Sequence, residues 1–231
     1  MSASHMKRLA MPRSWPLPRK EDVWISRPRP CGHPLEHCMA VGVVLRDVLG
    51  LAANIREAKR ALNTNLVKVD GRIVNDIRRG VGLMDVLSVE DNHYRCILDG
   101  NGKLRYLPID AKAAGTKMCR VENKTTIKGG KTQYTLHDGR NILGDDAGVW
   151  STGDTLVIKV EDQSVVSHHK FEDGAMAYLI GGNHVGSTAK VDSYSVKRSS
   201  KDNEVNFGDF GTIEKHVFVI SDEGALPEVS A

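Results

Sequence analysis

Residues 66–74 read Leu-Val-Lys-Val-Asp-Gly-Arg-Ile-Val, and this stretch predicts the fold more firmly than any other part of the chain. Two short runs rich in β-branched residues flank the dipeptide Asp70-Gly71. Asp-Gly supplies the positive φ angles that a two-residue type I′ turn requires. The stretch therefore predicts an antiparallel β-hairpin with Asp70 and Gly71 at its tip.

Two helices are predicted directly before this hairpin. Asn54 and Glu57 resemble a capping box, which opens a second helix through Ala58 and Ala61. A first helix is marked by apolar residues at helical spacing and a glycine stop, which are Val41, Val44, Leu45, Val48 and Gly50. With a strand predicted over 85–89, residues 39–92 form a helix–helix–hairpin module.

The chain after this module predicts only short strands separated by turn clusters. Residues 93–168 form a central β domain with strands at 94–98, 104–109, 117–121, 132–136 and 155–160 and a helical turn near 110–114. Residues 169–221 form a third unit with glycine-rich turns and strands at 175–180, 189–196 and 217–220. Residues 222–231 are an acidic tail. The predicted fold class is α+β, mostly β.

Residues 1–38 form a basic arm that holds six of the eight prolines and two of the three tryptophans. Proline at this density disfavours a helix or a central strand, so the arm is expected to be extended and ordered by a partner. Basic residues interleaved with Trp15 and Trp24 suit phosphate contacts and stacking on bases. The two tryptophans can equally pin the arm to its own protein.

Charge divides the chain unevenly although the formal net charge is only +3. Residues 1–80 contain 15 Lys and Arg against 7 Asp and Glu, whereas residues 81–231 contain 17 against 22. This asymmetry indicates either a polyanionic partner for the first part or unevenly solvated faces.

Several classes of protein are disfavoured by the sequence. No apolar run approaches the roughly 18 residues that span a bilayer, and the first residues lack the apolar core of a secretory signal. Four scattered cysteines do not suit a disulfide framework, so a reducing cytoplasmic compartment is expected. No nucleotide-binding loop or catalytic triad is evident, and His137-Asp138-Gly139-Arg140 is interpreted as a hairpin turn with Arg140 available to a phosphate.

The segment Cys31-Gly-His33-Pro-Leu-Glu-His37-Cys38 suggests a zinc site by composition. The spacing argues against it, because structural sites place ligand pairs on two separate stretches of chain and His37 and Cys38 are adjacent. We therefore predict no metal site and expect His33 to face RNA or solvent.

Basic residues also mark the helix–helix–hairpin module. Arg56, Lys59 and Arg60 lie on the second helix, and Lys68, Arg72, Arg78 and Arg79 follow on or near the hairpin. Such residues suit the phosphates of structured RNA, or they are an ordinary charged surface.

The module resembles the RNA-binding module shared by bacterial ribosomal protein S4, pseudouridine synthases and some tRNA synthetases. The motifs that carry this resemblance are Leu45-Arg46-Asp47, Arg56-Glu57-Ala58, Asn63 and Val67-Lys68-Val69-Asp70-Gly71. The flanks are similar to the S4e family of small-subunit ribosomal proteins over nearly the whole chain, from about His5 to Ile220. The motifs similar to that family lie at residues 5–10, 14–15, 27–28, 81–86, 136–141 and 180–186.

The family resemblance implies a basic arm, an S4-like module, a central β domain and a KOW-type SH3-like β-barrel at the C-terminal end. It implies a structural protein of the small subunit that binds 16S-type ribosomal RNA beside neighbouring ribosomal proteins, needs no cofactor, catalyses nothing and contacts no membrane. The acidic end, without a long basic extension, suggests the archaeal form. Two alternatives are an RNA-modifying enzyme and a transcription or translation factor that binds a protein through its KOW unit.

The candidate RNA-binding residues fall on the arm, the module, one hairpin turn and the glycine turn of the KOW-type unit. Gly181, Gly182 and Gly186 match the place where that unit brings its backbone close to RNA, although glycines often mark only a tight turn. The full set is Lys7, Arg8, Arg13, Trp15, Arg19, Lys20, Arg27, Arg29, Arg56, Lys59, Arg60, Lys68, Arg72, Arg78, Arg79, Arg140, Gly182, Asn183 and His184.

Overall fold

The structure is a computed structural model, and it describes residues 5–144 and 148–221. The predicted acidic tail at 222–231 lies outside the described residues. The described chain divides into a first unit of residues 5–98 and 103–117 and a second unit of residues 99–102 and 118–221. Both units consist mainly of antiparallel strands, so the predicted α+β, mostly β class is confirmed.

The first unit contains, among its described residues, nine complete strands, three helical segments of the α or π type, and two 3₁₀ turns at Arg8–Ala10 and Leu35–His37. The strands are β1 (His5–Lys7), β2 (Trp24–Ser26), β3 (Cys38–Ala40), β4 (Val67–Val69), β5 (Arg72–Ile73), β6 (Gly80–Gly82), β7 (Val86–Val89), β8 (Asn92–Leu98) and β9 (Leu104–Ile109). The helices are α1 (Val41–Val43), which continues as a π-helical turn over Val44–Val48, α2 (Ile55–Asn63) and α3 (Ala111–Ala114). Five strands form one sheet in the order β5-β4-β7-β8-β9, and β3 pairs with β6.

The predicted hairpin is confirmed as β4 and β5. Val69 pairs with Arg72 across the turn, and Asp70 and Gly71 have φ angles of 48° and 71°. Two positive φ angles in a two-residue loop define the type I′ turn, whose twist matches that of the paired strands.

The predicted helices are also confirmed, with one difference in detail. The side chain of Asn54 accepts hydrogen bonds from the backbone N–H groups of Arg56 and Glu57 at 2.9 and 3.0 Å. Glu57 Oε2 accepts from the N–H of Ala53, one residue earlier than a standard capping box. The first helix widens into a π-helical turn before Gly50, which has a φ of 65°.

The first sheet continues past the predicted domain boundary between residues 92 and 93. Strand β7 pairs with β8 from Val86 opposite Arg95, and β8 pairs with β9 along its length. The boundary between the two units therefore lies near residue 117. The strands of both regions share the same short alternating pattern, which does not say to which sheet a strand belongs, so the domain boundaries drawn from the sequence stay predictions.

The arm contains regular structure, which corrects the expectation of an extended segment. Strand β1 pairs with β2, with Met6 opposite Ile25, and the side chains of Met11, Trp15 and Ile25 are buried. No proline stands within either strand, because all six lie in the connections. Proline density thus limited the length of the strands without preventing them.

The second unit consists of three antiparallel sheets. Its strands are β10 (Thr116–Thr126, which begins in the first unit), β11 (Thr132–Leu136), β12 (Asn141–Gly144), β13 (Thr155–Lys159), β14 (Val165–His169), β15 (Met176–Leu179), β16 (Thr188–Lys190), β17 (Ser193–Ser195), β18 (Glu204–Asn206), β19 (Gly211–Ile213) and β20 (Val217–Val219). The sheet orders are β12-β11-β10-β13-β14, β16-β15-β20 and β17-β18-β19.

Two separate hydrophobic clusters lie in the second unit. One joins Cys119, Tyr134 and Leu156 in the five-stranded sheet, and the other joins Leu179 and Phe207 in the two smaller sheets. The strand predicted over 189–196 is split into β16 and β17, and β12, β14, β18 and β19 were not predicted. Across the described residues, no helix is both long and apolar enough to cross a membrane.

Candidate RNA interface

Helix α2 presents three cations on its outer face. Ala58 and Leu62 are fully buried, whereas Arg56, Lys59 and Arg60 are exposed. Residues three and four apart are neighbours on a helix, so these three side chains form one patch. None of their charged groups makes a hydrogen bond or ion pair with any residue that the structure describes.

The hairpin beside this helix adds further exposed cations. Lys68 points away from the core because Val67 and Val69 on either side of it are buried, and Arg72 begins β5. Arg79 is also exposed, just before β6. Their charged groups likewise have no partner within residues 5–144 and 148–221. We call Arg56, Lys59, Arg60, Lys68, Arg72 and Arg79 the six-cation set.

Arg78 has a different environment from the six-cation set. It is half-buried, and its Nε atom is buried without a hydrogen-bond partner among the described residues. Together with Arg27, Arg29 and Cys31 it lines a cavity of about 240 Å³. Arg29 Nη1 lies 2.9 Å from Asp76 Oδ2, so this predicted RNA contact is already paired within the protein.

Two predicted RNA contacts on the arm are wrong. Arg8 is buried, with Nη1 2.9 Å from Asp22 Oδ2 and Nε donating to the backbone oxygen of Pro18 at 2.6 Å. Trp15 is 1% exposed, so it pins the arm and has no face open to a base. The pattern of basic residues and tryptophans could not separate docking within the protein from docking on RNA.

Trp24 is the residue on the arm that the predicted set missed. It is 56% exposed, and Lys7 Nζ lies 3.8 Å from the centre of its ring. A cation beside an open aromatic face suits a nucleotide, which offers a phosphate and a base. The remaining predicted arm residues are Arg13, Lys20 and Arg27, which are exposed, and Arg19, whose Nη1 donates to the backbone oxygen of Leu9 at 2.9 Å.

A buried charge cluster fixes the hairpin and the arm in the first unit. Lys117 Nζ lies 2.8 Å from Asp70 Oδ2 and 2.5 Å from Asp85 Oδ1, and its side chain has no exposed surface. Asp70 Oδ1 accepts from the N–H of Val86, and Asp85 Oδ2 accepts from the N–H of Gly82. His33 Nε2 lies 2.9 Å from Asp85 Oδ1. The expectation that His33 faces RNA or solvent is therefore wrong.

The cluster shifts the pKa values of two of its members, Asp85 and His33. Burial alone would raise the pKa of Asp85, but the neighbouring Lys117 and His33 hold that pKa well below its usual value. For His33, burial opposes protonation, and the Asp85 carboxylate outweighs it and raises the pKa of the imidazole. The arrangement favours a charged His33 facing an ionised Asp85.

The residues proposed by composition for zinc do not converge. His33 directs Nε2 at Asp85, and within the described part of the chain no group of three or more His, Cys, Asp and Glu side chains is arranged to hold a metal ion. Cys31 and Cys38 do lie together, because both sulfur atoms lie within 3.6 Å of a Cβ atom built on Gly80.

The glycine turn of the second unit places its predicted residues at the surface. Gly182, Asn183 and His184 are exposed, and Gly182 has a φ of 84°. The His184 ring stacks on Phe210 with centroids 4.0 Å apart and planes 22° apart. These residues line a cavity of about 650 Å³ with His216.

The need for glycine at position 186, in the same turn, comes from the protein itself. A Cβ atom built there would collide with the backbone of Asp99 and Gly100, and its φ of 80° also favours glycine. The absence of a side chain at Gly186 therefore makes room for the backbone of Asp99 and Gly100. A contact with RNA is not needed to explain this glycine.

Arg140 follows a turn in which Gly139 has a φ of 77°, as its sequence predicts. Its Nε lies 3.1 Å from Asp138 Oδ2, and the side chain is largely buried. Of the predicted set, Arg8, Arg29 and Arg140 thus form ion pairs within the protein.

Comparisons with known proteins give a consistent result. The model of the ribosomal family S4e matches residues 90–165, and the model of the RS4NT (NUC023) domain matches residues 2–36. A protein named small ribosomal subunit protein eS4 from Methanosphaera stadtmanae is 40% identical, covering 96% of this chain and 94% of that protein. One of the same name from Methanocella arvoryzae is 37% identical over 100% of both chains.

A solved structure is similar as well. The crystal structure of the 30S ribosomal protein S4e from Thermoplasma acidophilum matches this chain with 32% sequence identity and a TM-score of 0.71. The match covers 81% of this chain and 96% of the Thermoplasma chain.

Proposed function

The chain belongs to the S4e family of ribosomal proteins, and from that premise we propose that it binds ribosomal RNA in the small ribosomal subunit. The protein is a structural component of the ribosome and not an enzyme. The proposed RNA is of the 16S type, the neighbours are other small-subunit proteins, and the proposed location is the ribosome in the cytoplasm.

The observation that carries the RNA-binding proposal is the six-cation set. Its members are exposed and lack anionic partners among the described residues, so their charge is available to phosphates. The first unit as a whole has 20 Lys and Arg against 11 Asp and Glu, a net charge of +9. Neutralising phosphates releases condensed counterions, which supplies most of the affinity of such surfaces for nucleic acid.

The arm contributes through a different chemistry. Trp24 offers an open aromatic face, and Lys7, Arg13, Lys20 and Arg27 offer exposed charges around it. Stacking on a base adds affinity that salt does not screen, whereas the phosphate contacts weaken as salt rises. The proposal is that the module supplies the charge and that the arm adds at least one stacked base.

We assign the S4-like module to the helix–helix–hairpin at residues 39–92 and the KOW-type unit to residues 169–221. The order of helices and hairpin supports the first assignment, and the exposed Gly182, Asn183 and His184 support the second. In this proposal the glycine turn is a minor backbone contact, because the second unit carries a net negative charge.

The test compares two triple variants of the full chain. In the first, Arg56→Ala, Lys59→Ala and Arg60→Ala remove three charges from α2. In the matched control, Lys159→Ala, Lys170→Ala and Arg198→Ala remove three exposed charges from the second unit. Binding of small-subunit ribosomal RNA is measured over a range of salt concentrations.

The α2 variant is expected to weaken binding and to lower the slope of log K against log salt by about 2–3, since each lost contact removes roughly 0.7–0.9. The control is expected to keep the slope of the unaltered chain. Equal losses in both variants would contradict the placement of the interface, although RNA binding itself would stand. No measurable affinity in the unaltered chain would refute the function.

A further inference from the structure

We propose that Cys31 and Cys38 are a redox pair, which a hydroperoxide oxidises to an intrachain disulfide and a dithiol reduces again. The proposal goes beyond RNA binding and does not depend on it. Cys31 lies in the connection that follows the arm hairpin, and Cys38 begins β3. All four cysteines of the chain are free thiols in the structure.

The two sulfur atoms meet above Gly80 in strand β6. A Cβ atom built on Gly80 would lie 2.5 Å from Cys31 Sγ and 3.6 Å from Cys38 Sγ, so the Cys31 sulfur occupies the space that a side chain would fill and the Cys38 sulfur lies beside it. Cys31 Sγ also donates a long hydrogen bond to the backbone oxygen of His33, at 3.8 Å. A disulfide requires a sulfur separation of about 2.05 Å, so the two side chains must rotate toward each other to form one.

Their surroundings give the two thiols different roles. Cys31 is partly exposed and Cys38 is buried, and both line the cavity of about 240 Å³ that also holds Arg27, Arg29 and Arg78. The hydrogen bond from Cys38 lowers the pKa of Cys31 to about 6, although partial burial acts in the opposite direction. The same bond and burial raise the pKa of Cys38.

Cys31 is thus accessible as a thiolate at neutral pH, which is the form that reacts with oxidants. Cys38 remains a thiol beside it, as a resolving cysteine does. The charge of His33 also lowers the pKa of Cys31, whereas the charge of Asp85 raises it. In contrast, Cys96 and Cys119 are buried, and burial raises the pKa of Cys96.

The oxidation balances with hydrogen peroxide as the oxidant. The Cys31 thiolate attacks one peroxide oxygen, the O–O bond breaks, and Cys31 sulfenic acid and hydroxide form. The Cys38 sulfur then attacks the Cys31 sulfur, the S–OH bond breaks, and water leaves with the Cys38 proton. The two thiols have lost two electrons and two protons, and the peroxide has become two molecules of water. Thiol–disulfide exchange with a dithiol reverses the change.

The test exposes the full chain to hydrogen peroxide and then alkylates the remaining thiols. The peptide that carries Cys31 and Cys38 is expected to be lighter than its reduced form by two hydrogen atoms and to resist alkylation until dithiothreitol is added. Cys96 and Cys119 should be alkylated only after unfolding, both before and after the peroxide treatment. The rate of oxidation should reach half its maximum near the pKa of about 6 assigned to Cys31.

Two variants separate the roles. Cys38→Ser is expected to stop at a Cys31 sulfenic acid, which dimedone traps. Cys31→Ser is expected to react at least about tenfold more slowly, because its remaining thiol is not ionised. Circular dichroism checks that both variants keep the fold. Two alkylatable thiols after peroxide, equal rates in both variants, or protection of the thiols only when zinc is present would each overturn the proposal.

Discussion

The two units of this protein use positive charge in opposite ways. The first unit carries 20 Lys and Arg against 11 Asp and Glu, and its six-cation set lies at the surface without partners among the described residues. The second unit, counted over its whole sequence, carries 12 against 18, a net charge of −6. Two of its three arginines, Arg120 and Arg140, are held by groups of the protein itself.

This difference separates cations that are available to a phosphate from cations that stabilise the protein itself. A cation whose protein partners are already in place gains little from a phosphate, whereas one surrounded by water releases counterions when it meets RNA. Exposure therefore supports the proposed interface more strongly than the number of basic residues does. Lys117 in the first unit follows the same rule, because it is basic but fully buried and paired with two carboxylates.

The largest expected effect comes from Lys117→Met. The change leaves the carboxylates of Asp70 and Asp85 buried without their counter-ion, and losing one partner of a buried ion pair typically costs about 3–5 kcal/mol. The first unit should therefore open more easily, while the second does not. Hydrogen exchange measured peptide by peptide distinguishes the two units.

The matched control for this prediction is Lys215→Met. Lys215 also pairs with an aspartate, Asp202 at 2.7 Å, but at the surface of the second unit. Exposed pairs of this kind contribute little to stability, so exchange should stay unchanged. Equal loss in both variants would show that burial does not distinguish the two lysines.

A smaller effect is expected from Arg120→Met in the second unit. Arg120 Nη1 donates to the backbone oxygens of Lys215 and Val217 at 2.8 Å each, and its guanidinium also bonds Glu122. Leaving these carbonyls without a donor should cost about 2–3 kcal/mol. Exchange should rise in β20, while RNA affinity stays the same. Reduced RNA affinity would contradict the internal role given to this arginine.

The smallest expected effect belongs to His33→Gln and appears as a change in pH dependence. The pKa of His33 is raised in the folded state, so its contribution to the free energy of unfolding is complete below the unfolded value of about 6.5. It is lost as pH rises through the folded pKa. At pH 6 the free energy of unfolding of the variant should be about 1–2 kcal/mol lower than that of the unaltered chain. Above the folded pKa of His33 the two free energies should differ little.

Denaturant unfolding of both proteins at several pH values measures this difference. The unaltered chain should lose stability with rising pH relative to the variant, and the two curves should converge on the alkaline side. Parallel curves would mean that another group governs the dependence and that the pairing of His33 with Asp85 contributes nothing.

The sequence predicted the parts of the fold whose signals are local. The turn at Asp70-Gly71, the cap at Asn54 and the helical turn of α3 each depend on a few adjacent residues, and each is confirmed. Strand β18 escaped prediction because Glu204–Asn206 contains one buried residue, Val205, which is too few to set a period of two.

The candidate site was predictable only in part, for the same reason. The six-cation set could be proposed from composition and order, since exposed charge on a helix needs no distant partner. The burial of Arg8 and the pairing of Lys117 with Asp70 depend on residues 14 and 47 positions away. Nothing in the pattern around Lys117 distinguishes it from a surface lysine.

Asp70 at the tip of the hairpin has a second structural role, and this role has a practical consequence for protein engineering. Asp70 sets the turn, but its carboxylate also accepts from the N–H of Val86 and neutralises Lys117. Asparagine would preserve the turn and abolish the neutralisation. A graft of residues 39–92 onto another scaffold would carry this carboxylate away from its counter-ion. The smallest portable form of the module therefore runs to Lys117, well beyond the last residue of its own hairpin.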